Sequence, residues 1–251
     1  MEKTKDLSLT PNQGRLQSIL EYKKYKIIKR NDLISLISKY KISKNPKYLI
    51  KSMLQKKRLV FIKKEHYIVI PVSSVDKTVG IDNFELNEYL LESDNYYIGL
   101  YNAFNLHGFT EQIPNKLFVF NTKYSADKKI LHYNFKFFKI KNDKLFGIFK
   151  KYKYPYSDKE RTIIDALDYP EYLGGLSEVL DRIKNVRYNK NKLFDYTIKY
   201  NSIKIIKLVG LLTNSNKLLN LLKKKKALSY YTTVKKTGTK LLDKKWKIRL
   251  I

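Results

Sequence analysis

The chain has 251 residues, 52 Lys plus Arg against 23 Asp plus Glu, a formal net charge of +29, and an apolar or aromatic fraction of 43%. That fraction excludes a wholly disordered basic tail, the length allows one large or two modest domains, and the absence of cysteine excludes disulfides, thiolate zinc sites and cysteine nucleophiles. No apolar run approaches the ~18–20 residues of a membrane span, and Met1 to Asp6 lack the apolar core of a secretory signal, so a cytoplasmic protein without membrane attachment is expected.

The charge is uneven. Residues 1–75 carry net +13 and residues 188–251 net +15, while residues 76–155 stand at +3 and residues 156–187 at −2. Only seven of the cations are Arg, and Lys, Ile, Asn and Tyr are plentiful, the look of an AT-rich genome. Such a bias does not by itself deplete Asp and Glu. The excess attracts polyanions, nucleic acid first among them.

In chain order, Thr10-Pro11-Asn12-Gln13 opens a first helix: Thr10 caps, Pro11 suits the first turn, and Gln13 completes a capping box. Leu16, Ile19 and Leu20 follow on one stripe. Residues 25–28 read as a short extended piece, and a second helix over 32–38 turns Leu33, Ile34, Leu36 and Ile37 inward. Asn45-Pro46 starts a third helix by the same cap-then-proline logic. Its apolar face holds Leu49, Ile50, Met53 and Leu54; its other face holds Asn45, Lys47, Tyr48, Lys51, Ser52 and Gln55. Asn and Gln can pair with adenine, Lys can reach guanine or phosphate, and Ser accepts either role, which is the face a recognition helix needs. An ordinary solvated helix face has the same pattern.

Two strands come next, residues 59–62 and 66–70, joined at Lys63-Lys64-Glu65. Three helices and a hairpin ending near residue 71 predict a winged helix-turn-helix over residues 1–75, with Lys63 and Lys64 on a wing along the phosphates and His66 near its tip. The connection lacks the Gly or Asn that a two-residue hairpin prefers. Residues 71–82 read as a linker, and 76–251 as a second domain of mixed α+β character with a small sheet and several helices. In it we expect a helix over 84–91, a brief strand running from Tyr96 into a helix stopped at Gly108, and strands over 116–121, 130–140 and 145–154. The alternation Leu131/Tyr133/Phe135/Phe137 suits a half-buried strand. Helices are expected from a Ser157-x-x-Glu160 capping box to Leu167, over 176–183, 191–199, 202–213 and 215–225, with a last strand in residues 246–251. The fold class is α+β.

Catalytic motifs are absent: no phosphate-cradling Gly-rich loop, no G-x-S-x-G, no H-E-x-x-H. His66, His107 and His132 show no metal-ligand spacing. Asp158, Glu160, Asp165 and Asp168 are close enough in sequence to raise a metal-dependent nuclease, but cap and ion-pair roles account for them. His107 reads as a helix-end or hydrogen-bonding residue rather than a general base. No enzyme activity, metal or cofactor is expected.

Two segments resemble the AbiEi antitoxin family of abortive-infection toxin–antitoxin systems. The first is Tyr97-Ile98-Gly99 through Asn102-Ala103 to Leu106-His107-Gly108-Phe109-Thr110-Glu111-Gln112; the second is Ser157 to Asp165, with Pro170-Glu171 and Gly174-Gly175-Leu176 after it. The ending Trp246-Lys247-Ile248-Arg249-Leu250 is also similar. The chain departs from that pattern at Lys64-Glu65-His66-Tyr67, where a glycine often precedes the tyrosine, and at Asn102, where Ser is usual. The resemblance implies a repressor whose winged helix binds inverted repeats in the double-stranded DNA of its own promoter. It also implies a C-terminal domain that opposes a nucleotidyltransferase toxin without a stable complex. A solitary regulator, or a general nucleic-acid binder gripping backbone with both basic ends, fits the same layout.

Overall fold

The computed structural model describes residues 8–74, 80–234 and 241–250. Residues 75–79 of the expected linker, the first seven residues of the chain, and Ile251 of the expected last strand lie outside them. The chain divides into two compact units, Met1–Ser93 and Asp94–Ile251, so the expected boundary at residue 75 falls short of the first unit's end.

In the first unit, α1 (Pro11–Tyr22) carries the expected capping box: Thr10 N–H donates to Gln13 Oε1 at 2.9 Å, and Thr10 Oγ1 accepts from Gln13 N–H. Then come β1 (Ile27–Lys29), α2 (Arg30–Lys39), α3 (Pro46–Gln55), β2 (Leu59–Lys63) and β3 (His66–Val69). The strands form an antiparallel sheet in the order β1-β3-β2. Leu16, Leu20, Leu33, Ile37, Leu49, Ile50 and Met53 meet in one core with Ile28, Leu59 and Val69. The β2–β3 connection is two residues, Lys64 and Glu65, with Glu65 left-handed at φ 77° and a register shift between Phe61 and Lys63. A non-glycine residue and a bulge do here what Asn-Gly does elsewhere. A further helix, α4 (Asn83–Leu91, capped by Asp82), belongs to this unit and packs on β2.

The second unit is mixed α+β. A six-stranded sheet runs β6 (Ala126–Ile130), β7 (Tyr133–Lys139), β5 (Lys116–Asn121), β4 (Tyr96–Ile98), β9 (Tyr154–Ser157), β8 (Ile148–Lys151). Pairs β5–β7 and β4–β9 are parallel, the rest antiparallel. Two single strands expected from the sequence are therefore hairpins. Residues 126–140 turn at Leu131, and residues 148–157 turn at Tyr152, both residues at positive φ. The expected alternation holds at Phe135 and Phe137, which are buried while Asn134 and Lys136 are only partly so; it departs at Leu131, which lies in the turn, and at Phe138, which is buried on the other face and joins the helical core with Phe118 and Phe120. The core is completed by α5 (Leu100–Leu106), α6 (Lys159–Asp168), α7 (Leu176–Lys184), α8 (Lys190–Tyr200), α9 (Ile203–Thr213) and α10 (Asn216–Lys224). A second small sheet, β10 (Thr232–Val234), β12 (Ile248–Leu250) and β11 (Leu241–Asp243), closes the chain with β12 in the middle. Trp246, expected inside the last strand, precedes it and packs on Gly210 of α9, where an added Cβ would stand 2.1 Å from the indole.

Candidate nucleic-acid interface

Helix α3 is positioned by its sequence. Asn45 Oδ1 accepts from Tyr48 N–H at 3.1 Å, Pro46 takes the first turn, and Leu49, Ile50 and Met53 anchor the inner face. Lys47, Tyr48, Lys51 and Gln55 are exposed on the outer face, Tyr48 at 70%. Asn45 is exposed as well, although its carboxamide oxygen is spent on the cap. Lys44, exposed just before the cap, extends the same surface; no periodic signal marks it in the sequence. Between Asp32 and Glu65 the chain has ten Lys or Arg and no acidic residue.

Three of the expected contact residues are engaged within the unit instead. Ser52 Oγ accepts from Gln13 Nε2 at 2.9 Å and donates to Leu49 O at 2.7 Å, so it ties α3 to α1. His66 is 5% exposed; its ring lies 5.7 Å from that of Tyr89, and Nδ1 stands 3.6 Å from Glu92 Oε1. Lys63 is half-buried and paired with Glu92 at 2.8 Å. All three departures share a cause: an inner neighbour that spacing along one element does not reveal. For His66 and Lys63 that neighbour is α4. Lys64 stays exposed at the tip of the connection.

In the second unit the carboxylates weighed for metal chemistry are each engaged. Asp158, not Ser157, caps α6 by accepting from Arg161 N–H at 2.9 Å. Its other oxygen accepts from Tyr196 Oη at 2.9 Å and pairs with Lys192 at 3.0 Å. Ser157 remains in β9, its hydroxyl 2.8 Å from that of Thr162. Glu160 accepts from Asn189 N–H at 2.8 Å and pairs with Lys192 at 3.3 Å. Asp168 meets Tyr200 Oη at 2.5 Å and Lys204 at 3.0 Å. Among the described residues no group of three His, Asp or Glu side chains is arranged to hold a metal ion.

Asp165 and Arg161 form a fully buried pair at 3.0 Å, with Tyr97 Oη 3.0 Å from Asp165 and 2.6 Å from Arg161 Nη2. Burial pushes the Asp165 carboxyl up to about 6 against the pull of Arg161. Burial likewise pushes the Tyr97 phenol well up, with Asp165 adding to it. The guanidinium also donates to Lys144 O at 2.7 Å, so the pair is a hydrogen-bonded brace between sheet and helix rather than an open site. His107, at the end of α5, has Nε2 2.8 Å from Ser157 O, and burial lowers its basicity.

No family model matches the chain, and no curated protein matches it. Among solved structures it is similar to the crystal structure of the RV2827C protein from Mycobacterium tuberculosis, with a TM-score of 0.65 over 97% of this chain and 92% of that one, at 11% sequence identity. Likeness at that identity concerns the fold. Among the described residues no helix is long and apolar enough to cross a membrane.

Proposed function

We propose that this protein is a DNA-binding antitoxin and transcriptional autorepressor of the AbiE type, acting by binding rather than by catalysis. In this reading α3 enters the major groove at inverted repeats of its own promoter, while Lys64 follows the phosphates. The observation that carries it is the outer face of α3, where Lys47, Tyr48, Lys51 and Gln55 are all exposed on a stretch free of acidic residues. A groove-reading helix needs cations for phosphate and amide or hydroxyl groups for base edges, and this face has both. The AbiEi-like segments around Tyr97–Gln112 and Ser157–Leu176 support the antitoxin half, with a nucleotidyltransferase toxin as the opposed partner.

Titration of a promoter fragment tests the DNA half. Lys51→Ala together with Tyr48→Ala should weaken binding roughly tenfold, about 1.4 kcal/mol. Indifference of the fragment to both changes rejects the reading. Growth rescue on co-expression with a nucleotidyltransferase encoded beside this gene tests the antitoxin half. A second reading, a general grip on nucleic-acid backbone, is favoured by the withdrawal of Ser52 and His66, which leaves the exposed set richer in cations than in base readers. Random duplex competing as well as the promoter would select it.

A further inference from the structure

The β8–β9 hairpin is joined to β4 of its sheet through one register pair, Ile98 with Tyr156. Its own strands pair from Ile148–Ser157 to Lys151–Tyr154, so the far end is a two-stranded ribbon at the sheet's edge. From residue 144 to 157 the sequence has four Lys and no acidic residue. Lys150 and Lys153 are exposed, and Tyr152 at the tip is 91% exposed, more than any other large apolar side chain among the described residues. Asp94 lines a hollow at the base beside Phe149, Lys150 and Pro155, away from the tip.

Tyr152 is the first of two loop residues and sits at φ 58°, a position where hairpins of this kind take Gly. The other tight connections also carry a non-glycine at positive φ, Glu65 and Leu131, so strain alone distinguishes nothing. What sets this tip apart is the combination. A large aromatic ring stands in water, in a conformation that L residues resist, among lysines that repel one another. Lys151 Nζ stands 5.7 Å from the centre of the Tyr152 ring and Lys153 Nζ 5.0 Å from that of Tyr154, which leaves the outer face of Tyr152 and the net positive charge to solvent, and an anionic partner would relieve both together.

We propose that this hairpin is a DNA-contacting element separate from α3, its lysines on phosphates and Tyr152 on the groove wall of a duplex. A two-stranded ribbon fits the major groove of B-form DNA, whereas that of A-form RNA is too narrow and deep. The site does not depend on α3, since neither its residues nor its geometry involve the first unit.

The test is binding of the full chain to a random-sequence DNA duplex across a salt series. Y152G is the decisive variant: glycine relieves the left-handed strain, so the melting temperature should hold or rise, while affinity should fall about threefold to tenfold. Replacing Lys150, Lys151 and Lys153 by Ala should flatten the slope of log K against log salt by about 2 to 3. Unchanged affinity and slope in both variants, at a melting temperature equal to or above that of the parent, overturns the inference and leaves α3 untouched. Weaker binding of random duplex by the hairpin variants supports the hairpin whatever the Tyr48/Lys51 pair does, and only a promoter affinity that this pair leaves unchanged sinks the α3 reading. A duplex RNA that competes as well as DNA overturns the groove assignment.

Discussion

At the scale of single residues, burial sets the chemistry. His107 illustrates the sign. Its ring is held in the neutral form chiefly by burial and secondly by the Lys159 charge, while the Ser157 carbonyl, Asp158 and Glu160 pull the other way. The folded protein therefore binds this proton less readily than the unfolded chain. Stability from His107 is present above about 6.5, its ordinary value, and is lost as pH falls through the lowered folded value. The melting temperature should drop more between about pH 7.5 and 5.5 in the parent than in His107→Gln, which keeps a donor for Ser157 O but does not titrate. Equal drops would remove the residue from the account. Residue-scale identities were partly legible in the sequence. The Arg161–Asp165 pair lies one helical turn apart, and that spacing points to it. The cap of α6 was not so legible, because Ser157-x-x-Glu160 and Asp158 both satisfy a capping pattern, and only the strand that holds Ser157 decides between them. Ser52 and His66 were misplaced because a short or half-polar side chain at the border of a stripe goes wherever a neighbour supplies a partner, Gln13 in one case and the Tyr89–Glu92 end of α4 in the other.

At the scale of elements, legibility tracks the strength of the periodic signal. All three helices of the first unit's core carry a cap or an apolar stripe that marks them, and so do α4 to α10. The strands β6, β10 and β11 carry little: Ala126-Asp127-Lys128-Lys129-Ile130 is an edge strand held by Asp127 between Lys116 and Lys136, and its only apolar ends give no alternation. Hairpin turns without Gly or Asn hid two more boundaries, at Leu131 and Tyr152. Gly210 is the clearest case of a residue whose reason lies in another element. A glycine inside a helix ordinarily costs about 1 kcal/mol relative to alanine, so Gly210→Ala should stabilise α9 if helix propensity ruled. The added methyl would instead stand 2.1 Å from Trp246 Cζ3, and the indole is 2% exposed with no easy retreat. Overpacking of this kind costs about 1–3 kcal/mol, enough to reverse the sign. Gly210→Ala should lower the unfolding free energy and shift the fluorescence of Trp246, the single Trp of the chain. Trp246→Leu should erase that penalty in a double-mutant cycle. Stabilisation by Gly210→Ala in the parent background would mean that the indole does not rest there.

At the scale of the whole molecule, the net charge divides unequally between the units. Residues 1–93 carry net +9, because Asp82, Glu85, Glu88 and Glu92 on and around α4 offset part of the basic N-terminal region, and residues 94–251 carry +20. The sequence showed two basic ends; it did not show that α4 belongs with the first, since the composition of residues 71–82 is that of a linker. A fragment made to test α3 should accordingly run to Ser93. One cut at residue 75 removes Glu92 and Tyr89, the neighbours of Lys63 and His66. If α3 supplies sequence discrimination and the second unit grips phosphates, the two properties separate on truncation. Residues 1–93 should keep the preference for promoter over random duplex, while the salt slope falls below that of the full chain by about 0.9 for each phosphate that the fragment no longer neutralises. Binding isotherms of both species over a salt series measure this directly, with circular dichroism to establish that the fragment is folded. Identical slopes would assign every neutralised phosphate to the first unit and leave the +20 of the second without a role in DNA binding.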